Sequence, residues 1–343
     1  MKYYVGLDVS MKTTALCIVD EKGKIIQEAN IATDPDALAE AIRSASLPIE
    51  LVGIESSALS FYLVEALEER KVPAICIDAR KMNAILSVTI NKNDKNDARG
   101  IANAMRTGMY TGVAVKPKEA LNRGAVLAMR KWLVNQRTGL KNHIRGIIKA
   151  YGIRLGTVSA NEFGKKVRAH TEHLELMVYE MIDAMLEVYE KMSEKLDKIN
   201  KELKELAKAD KRAKLLMTAH GIGPITALSF ITEIHSPERF KKSKTVGAYC
   251  GMTPSQYASG ETMIQGRISK CGSAELRTLL MEAGVSILTR SKKWSKLRAW
   301  GLKLMKKKGL KKAAMAVGRK LAVIMHRMLM EGKEFMYGEE QAA

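Results

Sequence analysis

The sequence predicts a chain of two domains, in which an α/β domain comes first and a mainly helical region follows. The chain has 343 residues, enough for two domains with substantial cores. In the first hundred residues, short β-rich apolar runs alternate with helical segments, which is typical of a mixed sheet with helices packed on its faces. Further along, a heptad pattern of apolar residues predicts a long helix with an apolar seam.

The elements of the α/β domain can be assigned in order. The predicted series is strands at 3–7, 14–19 and 24–32, a helix from Asp34, a strand at 51–54, a helix at 59–70 and a strand at 72–77. Asp34 is a favoured N-cap residue and Pro35 suits the first helical turn. Polar side chains at strand ends in such sheets gather at one edge, so any site of the domain is expected there.

Four carboxylates are candidates for that site. Asp8 follows the first strand, Glu55 follows the strand at 51–54, and Asp94 and Asp97 lie three apart on one face of a helical segment. Carboxylates that converge resist ionising together unless cations neutralise them, and Mg²⁺ prefers such oxygen ligands. Two ions roughly 3.5 to 4 Å apart would suit a phosphodiester substrate. The alternative is structural, with Asp8 capping a hairpin, Glu55 solvated and Asp94 acting as a helix N-cap.

The charge of the chain is unevenly distributed and indicates a polyanionic partner. Formal net charge is +20, with −2 in residues 1–110 and +22 in the remainder. Such a field attracts nucleic acid through phosphate neutralisation, and an anionic membrane is the weaker alternative. No apolar run approaches the ~20 residues of a membrane span and no signal-peptide pattern is present, so we expect no membrane and a cytoplasmic location. The four dispersed cysteines are expected to be reduced.

Two basic segments are candidate nucleic-acid surfaces. In 115–154, ten basic residues face one acid, and six of them recur at helical spacing along one face: Arg123, Arg130, Arg137, Lys141, Arg145 and Lys149. A solvated helix face is the alternative, although such faces usually mix charges of both signs. The segment 291–320 carries twelve Lys or Arg and no acid.

The heptad pattern spans residues 178–206. Its apolar positions are Val178, Ile182, Met185, Tyr189, Met192, Leu196, Ile199, Leu203 and Leu206. This seam predicts association with another helix, either from a second copy or antiparallel within the chain, and we expect self-association. The alternative is an amphipathic helix on a globular core.

Two glycine-containing segments follow the heptad. In 215–227, a helix end, Gly221, Gly223 and a new helix predict a helix-hairpin-helix element, whose backbone N–H groups can approach a phosphate. The segments 251–260 and 266–272 read as a loop rich in turn formers, hydroxyls and cations, including Arg267 and Lys270, before a helix at 273–288. A serine of this loop would attack a phosphodiester only if its proton is removed.

The acids and the segment 91–98 resemble the N-terminal domain of the IS110-family (DEDD) transposases, although Asn93 stands where the family has a small hydroxyl residue. The resemblance implies an RNase H-like (RuvC-like) fold and places Asp8, Glu55, Asp94 and Asp97 at the family's metal-binding catalytic positions. The implied cofactor is Mg²⁺, two ions per site. The second segment resembles the family's C-terminal domain, in which Ser259 corresponds to the serine nucleophile. Ser255 and Tyr257 are rival nucleophiles.

The resemblance also implies an organisation and partners. It divides the chain into a RuvC-like nuclease domain with a trailing basic helix at 1–150, a linker and helical coiled coil at 151–210, and a mainly α transposase domain at 211–335. The implied function is a transposase or recombinase that breaks and rejoins DNA to insert and excise a mobile element. The implied partners are donor and target DNA, a structured bridge RNA that pairs with both, and further copies in a dimer or tetramer.

Two other functions are compatible with the residues. One is a RuvC-like endonuclease that uses the four acids with water as nucleophile, and the other is a non-catalytic nucleic-acid scaffold. A covalent protein–DNA adduct would exclude the first, and metal-dependent cleavage would exclude the second.

Overall fold

The computed structural model describes residues 1–87 and 93–338 and divides into two compact units, Met1–Pro117 and the chain from Lys118 onward. Residues 91 and 92 of the segment that resembles the DEDD transposases lie outside the described residues. Within the described ranges, no helix combines the length and apolar character needed to cross a membrane.

The first unit is built on a five-stranded mixed sheet. Its strands are β1 (Tyr3–Val9), β2 (Thr13–Asp20), β3 (Ile25–Ala32), β4 (Ile49–Glu55) and β5 (Ala74–Ile77), in the spatial order β3-β2-β1-β4-β5. The first three strands pair antiparallel, whereas β1 with β4 and β4 with β5 pair parallel. The mixed α/β sheet predicted from the alternating apolar runs is therefore confirmed.

Helices cover both faces of this sheet. They are α1 (Pro35–Ser44), α2 (Ser60–Glu69), α3 (Ala79–Leu86) and α4 (Asp94–Thr107). Alternate residues of a strand point to opposite faces, so Val5 and Leu7 pack with α1 and α2 while Gly6 between them faces α4. The predicted cap of α1 is present, since Asp34 Oδ1 accepts hydrogen bonds of 3.0 Å from the backbone N–H groups of Asp36 and Ala37.

Close backbone packing holds α4 on the sheet. A Cβ atom at Gly6 would overlap the Ala98 carbonyl oxygen and the Ala102 backbone nitrogen, so only glycine permits this approach. At the start of α4, Asn93 is the N-cap, and its Oδ1 accepts a 2.9 Å hydrogen bond from the Asn96 N–H. The structural interpretation of Asp94 as the N-cap is thus wrong, because Asp94 is already the first helical residue.

The second unit is mainly helical, as the sequence predicts. Its helices are α5 (Lys118–Ala150), α6 (Ala160–Thr171), α7 (Leu176–Ala209), α8 (Lys211–Met217), α9 (Pro224–Ile234), α10 (Lys244–Tyr249), α11 (Ala274–Thr289), α12 (Lys296–Lys308) and α13 (Leu310–Glu331). Two strands, β6 (Pro254–Ser259) and β7 (Thr262–Ile268), form an antiparallel hairpin between α10 and α11. One large core joins residues of α5 and of α7 to α13.

The heptad seam of α7 is buried inside this unit. Its members Ile182, Tyr189, Leu196 and Leu203 are almost fully buried. Ile182 and Tyr189 pack in one apolar cluster with Ile144 of α5 and Phe163 of α6, and the rings of Tyr189 and Phe163 lie edge to face at 5.1 Å. Helices of the same chain therefore cover the deepest positions of the seam, which is the intrachain alternative that the heptad pattern left open, and self-association stays a prediction.

Two local predictions also differ from the structure. Helix α6 (Ala160–Thr171) lies inside the segment 151–210 that was predicted as a linker and coiled coil. The predicted loop at 251–260 contains strand β6, which pairs with β7. Both strands are exposed almost throughout, so no alternation of apolar and polar residues marked them in the sequence.

Candidate active site and nucleic-acid interface

Asp8 and Glu55 lie side by side at one edge of the sheet. In the parallel pair of β1 and β4, Leu7 is in register with Ile54, so Asp8 and Glu55, the next residues, lie near the carboxyl ends of adjacent strands. Side chains alternate along each strand. Gly6 and Gly53 approach residues of α4, so Asp8 and Glu55, two residues further on, face the same side of the sheet as α4.

Helix α4 brings the other two acids to that edge. Its last turn lies over the start of β1, because Arg106 Nη1 donates a 3.3 Å hydrogen bond to the Glu21 carbonyl in the β2–β3 turn, beside the paired residues Tyr3 and Asp20. The helix therefore runs antiparallel to β1, and its first turn lies at the carboxyl ends of β1 and β4. This places Asp94 and Asp97 at the edge that carries Asp8 and Glu55.

The rows of side chains along the surface of α4 indicate which strand each of its two acids faces. Residues four apart form one row along a helix. The row that contains Asp94 continues through Ala98 and Ala102, which contact β1 at Gly6, whereas the row that contains Asp97 continues through Ile101 and Met105, which approach β4 at Gly53. Asp94 therefore points along β1 towards Asp8, and Asp97 points along β4 towards Glu55.

The donor chemistry of this group fits a hard divalent cation, because all four side chains are carboxylates. Asp8, Glu55 and Asp97 are half-buried and Asp94 is exposed. Among the residues that the structure describes, no three His, Cys, Asp or Glu side chains are close enough together to hold one metal ion. The four carboxylates thus share an edge and a face, and ligation of one ion requires them to approach further.

A cleft of about 620 Å³ opens beside the start of α4. Its lining includes Asn30 of β3 together with Asp94, Asn93 and Lys95 of the α4 start. Glu28 of β3 also lines it and pairs with Lys95 and Arg99. Glu28 was not among the residues predicted from the sequence, although an acid within a strand and two cations four apart on a later helix are the signal for such a contact.

Ser259 lies at the end of the β6–β7 hairpin. It pairs with Thr262 across a two-residue turn, in which Gly260 takes a positive φ of 55°. Ser259 is exposed, and so is the rival nucleophile Tyr257, which is 65% exposed. Ser255 lies further from the tip, where its hydroxyl donates a 3.2 Å hydrogen bond to the Arg267 carbonyl. The predicted serine is therefore displayed at the tip of an exposed ribbon.

The two cations predicted near this serine occupy the base of the hairpin. Arg267 is exposed and lies in β7. Lys270 follows β7, adopts a positive φ of 57° and donates its backbone N–H to the Gly251 carbonyl at 3.1 Å. Since Ser259 is at the opposite end of the strands, neither cation is its neighbour along the hairpin.

The basic stripe of α5 faces the protein over much of its length. Arg123 is buried, where it pairs with Glu119 and lies 3.9 Å from Asp210. Arg130 Nε donates a 2.6 Å hydrogen bond to Asn200 Oδ1 of α7, and burial lowers the pKa of its guanidinium. The expectation that these two residues belong to a solvent-facing stripe is wrong, because they bridge α5 to neighbouring elements.

Two later members of the stripe also form hydrogen bonds within the protein. Lys141 Nζ donates to the Val158 carbonyl at 3.3 Å, and Arg145 donates to the Leu155 and Gly156 carbonyls at 2.7 and 2.9 Å. Arg137 is half-buried and Lys149 is exposed. Lys141 and Arg145 thus fix the connection between α5 and α6. In contrast, six lysines at the junction of α12 and α13 are exposed: Lys303, Lys306, Lys307, Lys308, Lys311 and Lys312.

The turn with Gly221 and Gly223 connects α8 to α9. Gly221 has φ +84°, and a Cβ atom there would lie 2.9 Å from the Ala283 carbonyl oxygen of α11. Gly223 is the N-cap of α9. Gly221 is therefore required by the turn and by its contact with α11, whether or not the element also binds phosphate.

Comparisons with known proteins agree with this arrangement. Residues 5–153 match a transposase family model for the DEDD type of IS110 elements, and residues 213–299 match the model described as Transposase IS116/IS110/IS902 family. The chain is 27% identical to the transposase for insertion sequence element IS1111A of Coxiella burnetii over 97% of this chain and 91% of the relative. It is 27% identical to putative transposase y4pF/y4sB of Sinorhizobium fredii over 73% of this chain and 66% of the relative. It is 24% identical to a probable family 20 transposase of Pseudomonas aeruginosa over 82% of this chain and 85% of the relative. The chain belongs to the IS110 family of transposases and is a DNA transposase/recombinase.

Proposed function

We propose that this transposase breaks and rejoins DNA with divalent cations held by Asp8, Glu55, Asp94 and Asp97 and with Ser259 as a covalent nucleophile. One observation carries the first part of the proposal. The register of β1 and β4, together with the direction of α4, brings all four carboxylates to one edge and one face of the sheet. An RNase H-like (RuvC-like) fold is proposed for this unit on the same grounds and on the family resemblance.

The chain's own residues explain why a cation is needed. Four carboxylates at one edge repel one another, which disfavours their joint ionisation and their close approach. A bound Mg²⁺ pair, the proposed cofactor, would neutralise them and offset charge on the attacking and leaving oxygens. Asp94 at the first position of α4 also lies where the helix dipole favours an anion.

The proposed covalent step uses the exposed hydroxyl of Ser259. Its Oγ loses a proton and bonds to phosphorus, while the bond from phosphorus to the leaving deoxyribose oxygen breaks and that oxygen takes up a proton. A serine hydroxyl has a high pKa and needs activation. Glu261 and Thr262 beside the tip supply no cation. Activation of Ser259 would therefore have to come from a metal ion or a base outside the hairpin.

The proposed partners are donor DNA, target DNA and a structured bridge RNA. The positive charge of the second unit supports a polyanion, and the RNA rests on the family resemblance alone. Of the predicted surfaces, the exposed lysines at the junction of α12 and α13 are best placed for phosphate contacts, and Arg137, Lys149, Gly221 and Gly223 remain candidates. The exposed Arg267 and Lys270 are further candidates.

We also propose the family's division of labour, with a nuclease domain at 1–150, a connector at 151–210 and a transposase domain at 211–335. The match at 5–153 supports a first boundary after α5, although by its contacts α5 belongs to the second compact unit. Joining four DNA ends requires more than one active site, so a dimer or tetramer is the proposed assembly. Its interface does not include the four buried positions of the α7 seam, Ile182, Tyr189, Leu196 and Leu203.

The first prediction tests the carboxylates. The substitution Glu55→Gln removes one charge from the proposed cation site and keeps the shape of the side chain. DNA cleavage with Mg²⁺ should therefore fall by at least about 100-fold. Binding of nucleic acid should persist, because the basic surface is elsewhere. Glu40→Gln is the matched control on the exposed surface of α1 and should cleave like the parent. Equal cleavage by the Glu55 and Glu40 variants would refute the assignment.

The second prediction tests the nucleophile. Ser259→Ala should eliminate a covalent protein–DNA adduct that is trapped by denaturation during cleavage, whereas Ser255→Ala and Tyr257→Phe should retain it. Chelation of divalent cations should eliminate the adduct in every variant. Peptide mass spectrometry identifies the linked residue. A nucleotide linked to Tyr257 would replace serine by tyrosine chemistry, and cleavage without any adduct would indicate hydrolysis by water.

The third prediction separates the structural cations of α5 from those free to bind. Arg145→Ala removes two hydrogen bonds to carbonyls, so thermal unfolding of the protein should occur at a lower temperature, on the scale of about 1 to 3 kcal/mol of stability. Lys149→Ala should leave the unfolding temperature unchanged and, if this lysine contacts phosphate, should reduce the salt slope of nucleic-acid binding by about 1. An unfolding temperature that Arg145→Ala leaves unchanged would contradict the structural role.

A further inference from the structure

Glu28 makes a two-cation contact beside the proposed active site. It lies on β3, the outermost strand on one side of the sheet, in register with Cys17 of β2. One carboxylate oxygen, Oε2, accepts from Lys95 Nζ at 2.9 Å and from Arg99 Nη2 at 3.0 Å, while Oε1 accepts from Arg99 Nε. The side chain of Glu28 is only 18% exposed. The hydrogen bond from Arg99, aided by Lys95, lowers the pKa of Glu28 to about 2, so it is ionised at neutral pH.

The cations and the catalytic acids occupy opposite flanks of the same helical turn. Each residue of an α-helix is rotated by about 100° from the previous one. Relative to Ala98, which faces β1, Lys95 and Arg99 lie on the flank towards β3, and Asp97 lies on the flank towards β4. The contact with Glu28 therefore fixes the rotation of α4 about its axis, and that rotation determines where Asp94 and Asp97 point.

Apolar packing alone leaves this first turn weakly held. The buried apolar contacts of α4 begin at Ala98, after both acids, and its next contact towards β1 and β2 is another alanine, Ala102. Ahead of Ala98, the turn is restrained by the cap at Asn93, by the hydrogen bond from Arg99 to Asn96 Oδ1 and by the pairing of Glu28 with Lys95. Repulsion among the four catalytic carboxylates would push this turn away from the sheet.

We infer that Glu28 is a positioning residue, which holds the first turn of α4 against the sheet through Lys95 and Arg99 so that Asp94 and Asp97 face Asp8 and Glu55. The contact also keeps the two cations on the β3 flank, where they do not neutralise the acids or compete with a metal ion. Both oxygens of Glu28 are occupied by cations, so the residue supports the site without entering it. This role rests on the proposed function of the four acids.

The test compares Glu28→Gln with Glu50→Gln in the full-length protein. Glu50 is the matched control, because it also forms an ion pair in this unit, with Lys2 at 2.8 Å, but at the opposite end of β4. In Glu28→Gln, binding of Mn²⁺ measured by electron paramagnetic resonance should weaken by about 10-fold or more, as for other residues that orient metal ligands. Saturating Mn²⁺ should restore DNA cleavage. The control should match the parent in both measurements.

Hydrogen exchange in the metal-free protein provides a readout that does not depend on activity. The peptide that covers residues 93–99 should exchange faster in Glu28→Gln than in the parent, and unchanged exchange there would overturn the positioning role. A loss of cleavage that saturating Mn²⁺ does not restore would overturn it as well, and would make Glu28 a ligand. If the parent binds no Mn²⁺, the proposed function fails, and the exchange of 93–99 still decides whether Glu28 holds the turn.

Discussion

The contact between α4 and β1 determines where the functional groups of the first unit lie. Gly6 allows the backbone of α4 at Ala98 and Ala102 to approach the strand directly, and a side chain at that position would lift the helix. Because the contact fixes both the direction and the height of the helix, the acids of its first turn are carried to the carboxyl ends of β1 and β4. The fold thereby converts four residues that are distant in sequence into neighbours at one edge.

The negative charge of the four carboxylates determines which ligands this edge attracts. Carboxylates gathered on one face raise the free energy of the folded state unless positive charge compensates them. The chain compensates the charge of Glu28 internally with Lys95 and Arg99. Residues 1–110 carry a net charge of −2, whereas the rest of the chain carries +22. The charge that attracts a nucleic-acid backbone therefore lies outside the part of the chain that carries the four acids.

Local patterns in the sequence predicted the elements better than their partners. The strands and Asp8 and Glu55 at their ends were predictable, because buried strands read as apolar runs with a polar residue where burial ends. The heptad of α7 was also predictable as a seam. That α5 and α6 cover it was not, since a periodic apolar face specifies burial and leaves open which helix provides it.

The basic stripe shows a second reason for such errors. Helical spacing placed Lys141 and Arg145 on one face correctly, yet their donors meet backbone carbonyls of the α5–α6 connection, which carry no charge and leave no mark in the sequence. Glu28 was missed for a related reason, since its partners are 67 and 71 residues away. Its role depends on which flank of α4 they occupy, and this follows only from the packing on β1.

Crystals of the protein soaked in Mn²⁺ would test the central claim, because anomalous scattering locates the ion directly. The account predicts a peak at about 2.1 Å from carboxylate oxygens of at least two of Asp8, Glu55, Asp94 and Asp97, with Asp97 moved towards Glu55. A peak coordinated by Glu28, or a site that includes none of the four acids, would contradict it.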